Sequence, residues 1–430
     1  MTTQTIERFE RKKSALTSIP PEIVTYASTL RILDLSGNPQ LASLPSSVSS
    51  LVNLKIAFFS DCGFTVFPPE LSKCPSLSMV AFRGNGMNNV PEDSLPPNLR
   101  WLILTNNNLT SLPKSIGKCS KLEKCMLAGN SLTDLPVEMS NCSKLGLLRI
   151  SANKFNSLPG WLLDMPELAF LAFSGNPGSN IVNPQSLEEV PWADLIVGKV
   201  LGEGASGIIS QATWKRSNTM EEQQVAIKLF KGTVTSDGLP SDEMAACISA
   251  ERHPNLVTSI GSIVGHPENV KGLVLPLIPP TYKNLGLTPS FESCTRDVYP
   301  EGMKLGFDQV LRTLEDVASA SVHLHERGIS HGDLYAHNIL VDQSGSAVFG
   351  DFGAAYVYGT QSLVREKWEK LEVLAFGHLI EDMLGVLVDD VSINSVFKLK
   401  ELHRKCSSRI VTERPLFAKV LEALEEARKY

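Results

Sequence analysis

Apolar residues recur along the first 180 residues with a period too long for a single helix or strand. Leu30, Leu54, Leu77, Leu99, Leu122, Leu145 and Leu168 lie 24, 23, 22, 23, 23 and 23 residues apart. Each opens an L-x-x-L-x-L-x-x-N pattern or a near variant, such as LRILDLSGN (30–38), LRWLILTNN (99–107) and LGLLRISAN (145–153). The closing position holds Asn38, Cys62, Asn85, Asn107, Asn130, Asn153 and Asn176, and a proline follows six or seven residues later in six of the seven copies. A self-similar period of this length marks a stacked array. Alternating leucines predict a short strand whose inward side chains neighbouring copies bury together, and the Asn side chain satisfies backbone groups in the turn that follows. Seven parallel strands are expected, with positions +2 and +4 from each opening leucine facing outward.

Those copies resemble the leucine-rich repeat family, in particular its intracellular LPxxI type, over residues 14–180, with LTSIPPEI (16–23) as a partial capping repeat. The outward positions are mostly apolar. Ile56, Phe58, Met79, Trp101, Ile103, Met126, Leu147 and Phe170 would form an exposed patch on the concave face. A contiguous apolar patch of this kind marks a binding surface for a protein partner or for another part of the chain.

The repeat gives way at NPGSNIVNPQSLEEVP (176–191), and residues 181–192 read as a linker. VGKVLGEGASGIIS (197–210) then sets Gly202, Gly204 and Gly207 in a G-x-G-x-x-G array after an apolar run. Glycines let backbone N–H groups approach phosphates without a Cβ in the way. QQVAIKLF (223–230) follows with Lys228 in a VAIK context; SHGDLYAHNILV (330–341) supplies Asp333 and Asn338 at D-x-x-x-x-N spacing; FGDFGAAY (349–356) supplies Asp351. Four such elements in this order point to phosphoryl transfer.

Residues 193–430 therefore resemble the eukaryotic-type protein kinase domain. EVPWADL (189–195) and ERPLFAKVLEAL (413–424) are similar to its tyrosine-kinase-like group. The resemblance implies a leucine-rich repeat α/β solenoid followed by a two-lobed α+β kinase-like domain, with a small lobe over 193–278 and a large lobe over 279–430. It implies ATP and Mg²⁺ as cofactors. Leu201, Gly202, Gly204, Gly207, Ile209, Ala226, Lys228 and Leu275 would bind ATP, with Leu275 as gatekeeper. Asn338 and Asp351 would hold the metal, Asp333 and Lys228 would serve catalysis, and Glu243 in PSDEMAACISAERHPNLV (240–257) would pair with the lysine. LEVLAFGHLIEDML (371–384) would be the buried helix of the large lobe.

The pattern departs from the family in three places. HRD reads His331-Gly332-Asp333, so the arginine that pairs with a phosphorylated activation loop is missing. Tyr335 stands where Ser/Thr kinases carry lysine. Glu372 lies only twenty positions after Phe352, with no APE, so Arg414 would need Glu366 or Glu369 in place of its usual partner. Three readings follow: a protein kinase acting on Ser/Thr hydroxyls, a pseudokinase scaffold acting through protein binding, and a small-molecule phosphotransferase.

Composition narrows the setting. The chain has 430 residues, 43% hydrophobic and 20% charged, with net charge −6. That balance fits several folded domains and gives no reason to expect a nucleic-acid partner. No apolar run is long enough for a transmembrane segment, and MTTQTIERFERKKS lacks the apolar core of a secretory signal. Eight cysteines show no CxxC pairs, which suits buried reduced thiols and a cytoplasmic protein.

Overall fold

The computed structural model describes residues 6–179, 187–204, 206–216, 221–232, 234–361, 363–388 and 392–429. It divides into two compact units. The first holds Met1–Leu168 and Gly175–Gly178, the second Ala169–Ser174 and Ser179–Tyr430.

In the first unit, β1 (Arg8–Glu10), β2 (Ile32–Asp34), β3 (Ile56–Phe58), β4 (Met79–Ala81), β5 (Trp101–Ile103), β6 (Lys124–Met126) and β7 (Leu147–Arg149) run parallel in chain order. Each strand from β2 on spans positions +2 to +4 of its opening leucine, and neighbours pair without slippage. Short 3₁₀ turns such as Pro69–Lys73 and Lys114–Lys118 carry the chain back, each entered through a proline whose fixed φ suits that position. The asparagines build a buried ladder. Asn107 Oδ1 accepts from the N–H groups of Asn85 and Met87, while its Nδ2 donates to the carbonyls of Phe82 and Leu104. Cys62 takes the same place with a thiol donating to the Leu35 carbonyl.

Two expectations change here. The array starts earlier than residue 14, because β1 pairs with β2; its sequence RFE buries Phe9 but carries no leucine signature. The outward side chains keep their expected register but are not exposed. Ile56, Met79, Leu147 and Phe170 are buried, and Phe58, Trp101, Ile103 and Met126 are half-buried. Side chains on adjacent parallel strands stand only ~4.8 Å apart and shield one another, and the Lys124 ammonium lies 4.2 Å over the Trp101 ring.

The second unit opens with β8 (Phe170–Ala172). Then β9 (Glu189–Pro191), β10 (Leu195–Glu203), β11 (Gly207–Lys215), β12 (Glu222–Phe230), α1 (Pro240–Ser249), β13 (Gly261–Val264) and β14 (Gly272–Pro276) form the small lobe. Its sheet is ordered β10-β11-β12-β14-β13-β9, with a core of Val190, Leu195, Trp214, Val225, Ile227 and Val274. Part of the expected 181–192 linker is thus sheet, since β9 pairs in parallel with β13; residues 181–186 lie outside the described residues. The large lobe holds β15 (Lys283–Asn284), α2 (Phe307–Glu326), β16 (Ile329–Ser330), β17 (Ile339–Val341), β18 (Ala347–Phe349), β19 (Tyr356–Val357), α3 (Arg365–Val386), α4 (Ile393–Cys406) and α5 (Phe417–Ala427). The buried helix α3 begins at Arg365, six residues before the expected start. Arg414 is buried and donates to the carbonyls of Ser408 and Lys370, while Glu369 accepts from the Phe417 N–H. Among the described residues no helix is long and apolar enough to cross a membrane.

Candidate active site

A cavity of about 310 Å³ opens between the lobes of the second unit. Ile209, Lys228, Glu243, Leu275, Asn338 and Asp351 line it, so the residues singled out on four separate segments converge. Cys247, Val257, Leu273, Asn284, His337 and Leu340 join them. Their signal in the sequence is only that of ordinary core or loop residues. Ala226 is buried in β12 opposite Leu275 on β14. Leu201, Gly202, Gly204, Gly207 and Ala226 are not among the lining residues, nor is Asp333.

The three glycines have different reasons. A Cβ on Gly207 would stand 2.4 Å from the Leu229 carbonyl, so the β11–β12 pairing itself demands glycine. Gly202 and Gly204 face open space, with no protein atom within 4 Å of an added Cβ. The fold leaves room there for something else to approach the backbone. The turn is closed by the Gly204 N–H donating to the Gly207 carbonyl.

Lys228 projects from β12 and forms an ion pair with Glu243 of α1. Burial works against the ammonium, but the carboxylates of Glu243 and Asp351 outweigh it and hold Lys228 above the ordinary lysine value. The lysine therefore stays charged inside the cavity. Asp351 follows β18 with φ +63°, the left-handed backbone that turns its carboxylate away from the strand path. Its Oδ1 accepts from the Gly353 N–H (3.2 Å).

The loop after β16 is built around buried polar contacts. His331 stacks on Phe349 with ring centres 3.9 Å apart, and its Nε2 contacts the Gly350 carbonyl at 2.9 Å. Burial pushes its pKa down, so it stays neutral and serves as packing rather than as a base. Asn338 Nδ2 donates to both the backbone carbonyl and Oδ2 of Asp333 (3.0 and 2.9 Å), which fixes the aspartate relative to the cavity. Beneath them Glu372 of α3 is fully enclosed. It accepts from the Gly332 N–H (2.7 Å) and pairs with His325 Nε2 (2.6 Å), whose Nδ1 contacts the Tyr358 hydroxyl (2.9 Å). Burial opposes its charge, but the hydrogen bond from His325, with that of the Gly332 N–H, holds Glu372 below the ordinary carboxylate range.

His337 sits beside Asn338. Burial disfavours its charged form, yet the hydrogen bond to Asp297 (2.7 Å), with Asp333 and Asp351 nearby, raises its pKa. For a divalent cation the fitting donors are hard oxygens, a carboxylate at Asp351 and an amide at Asn338. Among the described residues no group of three or more His, Cys, Asp or Glu is arranged to hold a metal by itself. This donor set suits Mg²⁺, which is commonly held by one or two protein oxygens with substrate phosphates completing its shell.

Comparison with known proteins agrees with this geometry. Residues 195–381 match the family described as protein tyrosine and serine/threonine kinase. Residues 97–155 and 29–51 match leucine-rich repeat families. A probable serine/threonine-protein kinase of Dictyostelium discoideum, gdt4, is 31% identical over 174 residues, 39% of this chain and 9% of that protein. The serine/threonine-protein kinase PITSLRE of Drosophila melanogaster is 28% identical over 202 residues, 45% of this chain and 20% of that protein. The tyrosine-protein kinase receptor TYRO3 of Danio rerio is 26% identical over 195 residues, 42% of this chain and 22% of that protein. The chain thus spans less than a quarter of the length of these relatives. Its N-terminal part consists of leucine-rich repeats, and its C-terminal part is a protein kinase domain.

Proposed function

We propose that the chain is an ATP-dependent protein kinase that transfers the γ-phosphoryl group to Ser/Thr hydroxyls of proteins, with the repeats binding a protein partner. The observation that carries the reading is the convergence of the Lys228–Glu243 ion pair, Asn338 and Asp351 on one cavity. Bound ATP would lay its adenine near Ile209 and Leu275 and its phosphates under the Gly202–Gly207 turn. Lys228 would orient the α/β-phosphates. Asn338 and Asp351 would hold Mg²⁺, which supplies charge neutralisation on the transferring group. Asp333, steadied by Asn338, would accept the proton of the acceptor hydroxyl.

Ser/Thr rather than Tyr specificity rests on two of the three named relatives, whose descriptions are of serine/threonine kinases. Cytoplasmic placement belongs to the same proposal and rests on eight buried cysteines, none of them joined in a disulfide. The test is Mg²⁺-dependent transfer of radiolabelled phosphate from ATP to dephosphorylated casein and myelin basic protein, with Asp333→Ala as control. Phosphoserine or phosphothreonine formed by the wild type and lost in the variant is the expected result. Folded protein that binds ATP and transfers nothing would favour a scaffold, and label found only on small molecules would favour a metabolite kinase.

A further inference from the structure

The stretch Ala169–Ser174 belongs to the second unit, although 176 residues separate it from the DFG motif that begins at Asp351. Its side chains are almost wholly withdrawn from solvent, Phe170 at 1% exposure. The Phe170 ring lies flat on Tyr335, centres 3.9 Å apart and planes 9° apart, and its centre is 6.3 Å from that of the His378 ring. Phe173 meets Tyr356 edge-on at 5.2 Å. The backbone is equally close. A Cβ on Gly332 would stand 2.8 Å from the Leu171 carbonyl and 2.6 Å from the Ala354 carbonyl, and Gly332 has φ +72°. The glycine in His331-Gly332-Asp333 is therefore the residue that admits this stretch; any side chain there would collide with it.

Tyr335 stands two residues beyond Asp333, on the same loop as the aspartate that meets the acceptor hydroxyl in the reading above. Only 6% of it is exposed. The segment that follows DFG is short, with thirteen residues between Asp351 and the start of α3 at Arg365, so it offers little surface of its own for an extended acceptor. The space beside the catalytic loop is filled by the chain itself.

We infer that Ala169–Ser174 is a built-in cover on the acceptor side of the catalytic loop, closed by the stacking of Phe170 on Tyr335. A protein acceptor reaches Asp333 only when Phe170 leaves Tyr335, while the nucleotide cavity, lined by other residues, stays accessible throughout. The inference rests on the kinase reading and deepens it, because it makes acceptor access the regulated step.

The test compares full-length wild type with Phe170→Ala, using radiolabelled ATP with casein and myelin basic protein, and measures ATP affinity separately by calorimetric titration. At least tenfold higher kcat/KM for the protein acceptor, with ATP affinity changed less than twofold, is expected. Unchanged or reduced transfer by folded Phe170→Ala would overturn the cover, because the segment would then be support and not obstruction. If Phe170→Ala fails to fold, Phe170→Leu keeps the apolar volume but loses the flat ring, and a gain of at least threefold is expected from it; no gain overturns the inference. Transfer absent from both wild type and variant, with ATP bound, refutes the kinase reading. The cover is then judged by amide hydrogen exchange of residues 333–337: faster exchange in the variant supports it, and equal rates reject it.

Discussion

Glu372→Gln is the sharpest test of how the catalytic loop is held. The wild-type carboxylate is enclosed by α2, α3 and the loop, accepting from Gly332 N–H and paired with His325. Glutamine keeps the shape and an acceptor oxygen for Gly332, so the change removes chiefly the charge opposite His325. A hydrogen bond to a charged group contributes about 1.5–3 kcal/mol, and the neutral amide forfeits that charge assistance. Hydrogen exchange read by mass spectrometry isolates the effect, because peptides from the repeats act as an internal control. At roughly 1.4 kcal/mol per factor of ten, amides in 329–338 and 371–380 should exchange about 10- to 150-fold faster at neutral pH. The sign with pH is also fixed. Glu372 titrates below its ordinary value, so its contribution is complete above that value and is lost as pH falls through the folded pKa. The gap between wild type and variant should therefore narrow on acidification below about pH 4.5. Rates within threefold of wild type at pH 7.5 would show that desolvation cancels the pairing, and the reasoning would fail.

Further outcomes follow from other sites. Asp351→Ala should abolish phosphate transfer while the circular dichroism spectrum stays that of the wild type; retained transfer would remove the metal role from this residue. Lys228→Met should weaken ATP binding by at least tenfold in calorimetric titration, since the ammonium is held charged inside the cavity. Burial pushes Asp242 up to about 6, so above that pH its ionised form costs stability. Asp242→Asn should raise the melting temperature by a few degrees at pH 7.5, and the gain should vanish near pH 4. Asn107→Ala strips five buried hydrogen bonds from the ladder. At about 1–3 kcal/mol for each backbone group left unpaired, urea denaturation should show the repeats unfolding at clearly lower denaturant, with ATP affinity unchanged.

How much of this was legible in the sequence depends on the range of the forces involved. The strand register from β2 to β8 could be read residue by residue, because the repeat period and the alternation of leucines are local consequences of strand geometry. The four motif-bearing segments that converge on the cavity stood out equally in the sequence, and two of them carry a backbone requirement of their own: glycine at 207 against Leu229, and a left-handed turn at Asp351. β1 was missed because RFE lacks the repeated leucines and turns only Phe9 inward. The burial of the outward repeat positions was missed because exposure depends on what lies alongside, which no period encodes.

Glu243 was nominated from the sequence, but only the packing of α1 against β12 decides that it meets Lys228 and that the lysine keeps its charge there. The glycine of His331-Gly332-Asp333 is plain in the sequence as a departure from the family. Its physical reason is tertiary: a Cβ would meet the Ala354 carbonyl at 2.6 Å and the Leu171 carbonyl at 2.8 Å, the second of these 161 positions away in sequence. Local sequence determined the elements and the chemistry each could carry. Tertiary structure alone decided which face of the catalytic loop stays open, because desolvation and steric exclusion are set by neighbours in space rather than in sequence.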